Sequence, residues 1–190
     1  MFNNIVGNEE KKKVLKSIID SNNISHSYIF SGISGVGKFL IAKEFAKAIL
    51  CIAPTEKPCN QCRACESFEN SNNPDIIIID EQEESIKTEQ IKELTSNVLE
   101  KPIQGSKKIY IINNSENMTK EAQNSLLKTL EEPPEYVIII LITSNENLLL
   151  NTIKSRCIKI NFSKLSDKEI NQYFNEILEK IDDKMIKSFG

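Results

Sequence analysis

The sequence predicts a doubly wound α/β domain of five short, mostly parallel strands with helices on both faces, plus a small cysteine-bearing insertion. Three observations predict it. A glycine-rich loop, Gly32-Ile33-Ser34-Gly35-Val36-Gly37-Lys38, lies between an apolar strand-length run and a helix-length pattern. Apolar runs of strand length then alternate with helical periodicity, the arrangement that builds βαβ units. One of those runs, Ile76-Ile77-Ile78-Ile79, is continuously apolar, as expected of a strand buried on both faces of a parallel sheet. A chain of 190 residues suits one such domain with a modest appendage.

In chain order, residues 8–19 read as an amphipathic helix with Val14, Leu15, Ile18 and Ile19 at helical spacing behind Asn8 as N-cap. Residues 27–31 read as the first strand and 38–50 as the helix after the loop, with Leu40, Ile41, Phe45, Ile49 and Leu50 on its inner side. The segment 51–65 interrupts the pattern, because Pro54 and Pro58 break any periodicity. Strands are expected at 75–80, 107–112, 136–143 and 157–162, and helices at 86–99 and at 119–131 with Thr119 as cap. The run from Glu81 to Glu84 reads as a solvated loop. From Ser166 an amphipathic helix begins, with Ile170, Tyr173, Phe174, Ile177 and Ile181 on one face, and the chain ends at Gly190. A lone terminal helix needs partners to bury its face, so 166–190 is expected to be the start of a truncated helical subdomain.

A net charge of -3 with both signs interspersed gives no bulk signal for nucleic acid or anionic membrane. The N-terminus lacks a secretory pattern and the longest apolar run, Val137 to Ile142, is too short to span a bilayer, so a cytoplasmic protein is expected. Of 24 basic residues only Arg63 and Arg156 are arginine. In a lysine-rich chain an arginine marks a place where a planar, bidentate fork is wanted.

Cys51, Cys59, Cys62 and Cys65 carry the clearest metal signal. Thiols at this spacing can converge on one tetrahedral Zn²⁺, and four thiolates would close the coordination shell, which makes the site structural. Unliganded thiols and an iron–sulfur cluster are the alternatives, although the fourth cysteine's spacing differs from the usual bacterial cluster run. Cys157 stands apart as a small residue at a strand start.

The loop matches G-x-x-x-x-G-K-[ST] at every defined position except the last, where Phe39 replaces the hydroxyl that binds Mg²⁺. Gly32, Gly35, Gly37 and Lys38 retain the means to cradle phosphate through inward N–H groups, a point charge and a helix N-terminus. The strand that should end in acidic residues, Lys108-Ile109-Tyr110-Ile111-Ile112, ends in Asn113-Asn114. An amide carries no charge for Mg²⁺ and takes no proton from water. Glu116 lies nearby but out of register. Turnover by this chain is not expected; the residues leave open whether the loop holds nucleotide, and ATP and Mg²⁺ are doubtful cofactors.

Together with these features, the sequence shows Ile5-Val6-Gly7-Asn8, His26-Ser27-Tyr28-Ile29-Phe30-Ser31-Gly32, Pro74-Asp75, Ile86-Lys87 with Gln90-Ile91-Lys92-Glu93-Leu94, and Asn124-Ser125-Leu126-Leu127-Lys128-Thr129-Leu130-Glu131-Glu132-Pro133-Pro134, then Ser155-Arg156-Cys157. In this order they resemble the delta-prime subunits of the bacterial DNA polymerase III clamp loader, AAA+ proteins related to the gamma/tau subunits. The resemblance implies an AAA+ domain over 1–165 with a zinc module at 51–65, and a helical lid beginning at 166. It further implies assembly with gamma/tau and delta subunits, placement of the sliding clamp on primed DNA, and a place in the DNA polymerase III holoenzyme without ATP turnover by this subunit. Arg156 is implied as an arginine finger acting in trans on a neighbour's ATP, and Thr143, Ser144 and Asn145 match the family's sensor 1 region. A gamma/tau-like ATPase with a degenerate site is the alternative, and a stand-alone zinc-bearing P-loop domain a third.

Overall fold

The structure, a computed structural model, describes residues 1–2, 5–54, 56–81, 85–171 and 174–175. Five strands, β1 (Ser27–Ser31), β2 (Ile76–Asp80), β3 (Lys108–Asn113), β4 (Val137–Thr143) and β5 (Ile158–Asn161), form one sheet in the order β2-β3-β4-β1-β5. Every pairing is parallel. Among the described residues, the α-helices that accompany the sheet are α1 (Glu9–Asp20), α2 (Lys38–Leu50), α3 (Arg63–Glu69), α4 (Thr88–Asn97), α5 (Lys120–Glu131) and α6 (Asn151–Lys154).

The sheet has a core on each face. Side chains alternate across a strand, so Ile109, Ile111, Ile138, Ile140 and Phe30 pack with α1 and α2, while Tyr110, Ile112, Ile139, Leu141 and Ile29 pack with α4 and α5. Every residue of β4 is buried, as the central strand of such a sheet requires.

The run of isoleucines behaves otherwise. β2 is an edge strand paired only with β3, and all five of its residues are half-buried or exposed, Ile78 among the exposed ones. A continuous apolar run reports coverage by helices on both faces but does not report whether the strand has two neighbours. Leu40 also departs from expectation: it is 55% exposed, because its place in the first turn of α2 puts it over the loop. Val14 is likewise exposed, leaving Leu15 and Ile19 to bury the face of α1.

The two expected N-caps differ. Thr119 Oγ1 accepts the Ala122 N–H at 3.1 Å, an ordinary cap. Asn8 occupies the cap position of α1 in the left-handed region and makes no cap bond. Its amide instead donates to Ser163 O at 3.2 Å and accepts from Ser163 N at 2.8 Å, fastening the start of α1 to the chain leaving β5. The segment expected to be irregular contains α3, which carries Cys65. Residues 167–171 and 174–175 are helical, in keeping with the terminal helix; Tyr173, Ile177 and Ile181 lie outside the described residues, as do Gln82 to Glu84 of the charged run.

Among the described residues no helix is long and apolar enough to cross a membrane.

Candidate functional site

Parallel strands deliver their C-terminal ends to one edge, and the register places Ser31 beside Thr143, and Asp80 beside Asn113, on that edge. This is where open α/β sheets bind ligands. The glycine-rich loop leaves β1 here. Gly32 has to be glycine, since a Cβ would lie 2.5 Å from the Phe162 carbonyl oxygen. Gly37 caps α2 at φ 84°, in the left-handed region that costs a side chain 1 kcal/mol or more, on the order of 1–2. No acidic residue occupies the first turn of α2, so its N-terminal dipole is left unneutralised and faces the loop.

A cavity of about 290 Å³ opens there, and its lining contains Gly35, Gly37, Lys38, Phe39, Asn113 and Asn114 together with Thr143 and Ser144. The three departures from a magnesium-binding site therefore surround one space. Phe39 packs against the core below the loop, with the Lys43 ammonium 5.7 Å from its ring centroid. The Asn113 amide donates to Asp80 Oδ1 at 2.7 Å, and that of Asn114, in the left-handed region, donates to Glu81 O at 3.2 Å. Lys38 Nζ is turned onto the loop itself, 2.6 Å from Gly32 O and 2.8 Å from Ile33 O. Burial draws its pKa down, and the Glu116 carboxylate opposes that effect.

Glu116, out of register by sequence, is brought to the site by the 3₁₀ turn Ser115–Asn117 after β3. Its Oε1 accepts from the Ser144 N–H at 2.8 Å and from the Ser144 hydroxyl, and its Oε2 is buried without a partner. Burial would raise this carboxyl's pKa, but the Ser144 hydrogen bonds outweigh it and hold it below the usual range. Ser144 thus has both donors committed to Glu116. Only the separation of acid and strand end hides this from a one-dimensional reading. On the other side of the loop lies a second, apolar cavity of about 370 Å³, lined by Ile5, Val6, Ile33, Leu40, Leu165 and Phe174 among others. Its lining is mostly apolar, and it adjoins the glycine-rich loop through Ser34, Gly35 and Gly37.

The four cysteines converge. Cys51 ends α2, Cys62 caps α3 and Cys65 lies in its first turn, and all four sulfurs lie within 4.8 Å of one another. Ligands of a tetrahedral Zn²⁺ at 2.3 Å are about 3.8 Å apart, and Cys51 Sγ and Cys62 Sγ are separated by 3.9 Å. The Cys59 N–H points at Cys51 Sγ from 3.4 Å. Backbone hydrogen bonds at Cys65 and Ile52 overcome the opposing burial and bring the Cys62 thiol down to about 6, while burial pushes Cys51 and Cys65 up. The donor set and its spacing fit a zinc ion. Cys157 is no part of it; burial raises its thiol to about 11 against the second core.

Arg156 lies in the turn between α6 and β5, where the Ser27 hydroxyl at the start of β1 donates to its carbonyl at 2.7 Å; that is the opposite edge of the parallel sheet from the glycine-rich loop. Its Nη2 pairs with Glu131 Oε1 at 2.7 Å, and its Nη1 donates to Thr152 O at 2.8 Å. The side chain is one-third exposed. Arg63 is the first residue of α3.

A five-stranded parallel sheet in the order 2-3-4-1-5, with a glycine-rich loop leaving β1, defines a P-loop domain of the AAA+ type. Solved structures agree on the fold: a DNA polymerase III gamma subunit-related protein from Thermotoga maritima superposes with a TM-score of 0.61 at 24% identity, over 81% of this chain and 47% of that one. The Holliday junction branch migration motor RuvB of the same organism gives 0.58 at 16% identity, over 93% and 52%. The family described as "DNA polymerase III, delta subunit" matches residues 7–166, and this chain belongs to it, within the clamp-loader AAA+ proteins. Among curated relatives, the tau/gamma subunit of Haemophilus influenzae is 39% identical over 93% of this chain and 26% of its own length. The delta' subunit of Bacillus subtilis is also 39% identical, over 83% of this chain and 48% of its own. The chain thus spans less than half the length of these relatives.

Proposed function

We propose that this chain is the AAA+ portion of a clamp-loader subunit of the delta-prime type, which contributes architecture and an arginine finger but does not turn over nucleotide. The observation that carries this reading is that Phe39, Asn113 and Asn114 line one cavity with Lys38. A site lacking the Mg²⁺ hydroxyl, the Mg²⁺ carboxylate and the acid that orients water has lost most of what stabilises charge in phosphoryl transfer. On this reading residues 1–165 are the AAA+ domain and 166–190 begin the helical lid. Cys51, Cys59, Cys62 and Cys65 hold a structural zinc. Gly32, Gly35, Gly37 and Lys38 form a phosphate loop retained as scaffold. Gamma/tau and delta are the partners, and the assembly loads the sliding clamp on primed DNA, in the cytoplasm.

Arg156 supplies the catalytic contribution, reaching the γ-phosphate in a neighbour's site. Fingers acting in trans contribute on the order of 10³–10⁵ in rate. Arg156→Ala is therefore expected to leave this chain folded and to lower the ATPase of the reconstituted loader steeply; an unchanged rate would remove the finger role. The competing reading, a gamma/tau-like ATPase, draws support from equal identity to tau/gamma and delta' relatives. Turnover separates the two. Hydrolysis of ATP with magnesium by the isolated chain, abolished by Lys38→Ala, would establish the ATPase and overturn the non-catalytic reading.

A further inference from the structure

We infer that Glu131 is the positioning residue of Arg156: its carboxylate holds the guanidinium in the geometry from which it reaches a neighbouring subunit's phosphate. The inference rests on the trans role proposed for Arg156. Glu131 is the last residue of α5, Thr152 lies within α6, and Arg156 follows the Ser155 C-cap of α6. The guanidinium joins all three, with Glu131 Oε1 2.7 Å from Nη2, and with Thr152 O at 2.8 Å and Ser155 Oγ at 3.4 Å from Nη1. These contacts use both N–H groups of Nη1 and one of Nη2. Of the five guanidinium donors, one on Nη2 and that of Nε are left for an outside acceptor, enough for a two-pronged contact with phosphate.

The partners are only partly covered, with the arginine side chain 33% and the glutamate side chain 48% exposed. A surface ion pair of this kind adds little to stability. Its consequence lies in orientation. A free arginine side chain samples many rotamers and must be ordered when it meets phosphate, whereas one already clamped at two nitrogens loses less freedom on docking. The carboxylate sits at the end of a helix whose other residues, Leu126 and Leu130, are buried in the second core, so its position is fixed by the fold.

The test uses a loader reconstituted with the full-length subunit, gamma/tau and delta, comparing Glu131→Gln, Glu131→Ala, Arg156→Ala and the double variant Glu131→Ala/Arg156→Ala. Assembly is checked by size-exclusion chromatography and folding by thermal melting. The expected result is a fall in kcat on the order of tenfold for Glu131→Ala, within the 10²-fold that a 1 Å misplacement can cause, with the KM for ATP moving less than about twofold. Glu131→Gln, which keeps an acceptor oxygen but no charge, falls in between. The double variant should be no slower than Arg156→Ala alone, because Glu131 acts only through that side chain. Additive losses, or an unchanged kcat in the Glu131→Ala loader while Arg156→Ala is impaired, overturn the positioning role and leave the finger standing. If Arg156→Ala itself changes nothing, the finger reading falls and the positioning role falls with it.

Discussion

Asp75 illustrates how much a single side chain organises. It is 1% exposed, and its carboxylate accepts backbone N–H groups from Ile103 at 2.6 Å, Gln104 at 2.7 Å and Gly105 at 3.0 Å. These three bonds hold the loop 103–105 against the start of β2. Hydrogen bonds to a charged acceptor contribute roughly 1.5–3 kcal/mol each and leaving donors unsatisfied adds to the loss, so Asp75→Ala should destabilise by about 3 kcal/mol or more. Urea unfolding of the two proteins measures it, and a loss under about 1 kcal/mol would contradict the role. Glu116 gives a pH signature. Its folded pKa is depressed, so its contribution to stability is present above the ordinary carboxylate range and is lost as pH falls through the lower, folded value. The melting temperature of Glu116→Gln should therefore lie below that of the parent at neutral pH, and the gap should close on acidification below about pH 4. A gap that persists to low pH would show that the carboxylate's charge is not the stabilising feature.

At the scale of elements, the cysteine module is fastened to the domain at three places. Cys51 ends α2 itself, Lys47 of α2 pairs with Glu69 of α3, and Asn73 donates to Ala64 O and Ser67 Oγ at 3.1 and 3.0 Å. Ser67 in turn donates to Gln104 at 3.0 Å, beside the loop that Asp75 holds. A seven-residue helix has little intrinsic stability, so α3 depends on these ties. Chelation of the zinc proposed here, or Cys62→Ser, should lower the melting temperature by roughly 2–4 °C for each kcal/mol of binding energy lost. Purified protein without zinc, whose four thiols all react freely, would reject the metal site. The sheet follows the same logic of placement: β4 and β3 are buried because each has neighbours on both sides, while the isoleucine-rich β2 lies at the edge.

At the scale of the whole molecule, much was legible in the residues. Strand-length apolar runs and helical periodicity located all five strands and the principal helices, because burial period is written directly in side-chain order. Loop chemistry was equally direct, since glycine spacing, Lys38 and the Phe39 substitution are local facts. Cysteine spacing picked out four thiols whose sulfurs do converge. What escaped was everything set by contacts distant in sequence. The N-terminal asparagine reads as a cap but is claimed by Ser163, 155 positions away. Glu116 reads as misplaced until a short 3₁₀ turn brings it to Ser144.

The sequence by itself determined the doubly wound class, the glycine-rich loop with Phe39 after its lysine, the Asn113-Asn114 strand end, and the four-cysteine set, because each depends on residue type at short spacing. Only the tertiary structure decided that Phe39, Asn113 and Asn114 surround a single cavity, that β2 is an edge, and that Glu131 meets Arg156 across 25 positions. Strand order and the meeting of distant side chains follow from how helices and strands pack, and packing is a property of the assembled cores that no window of the chain contains.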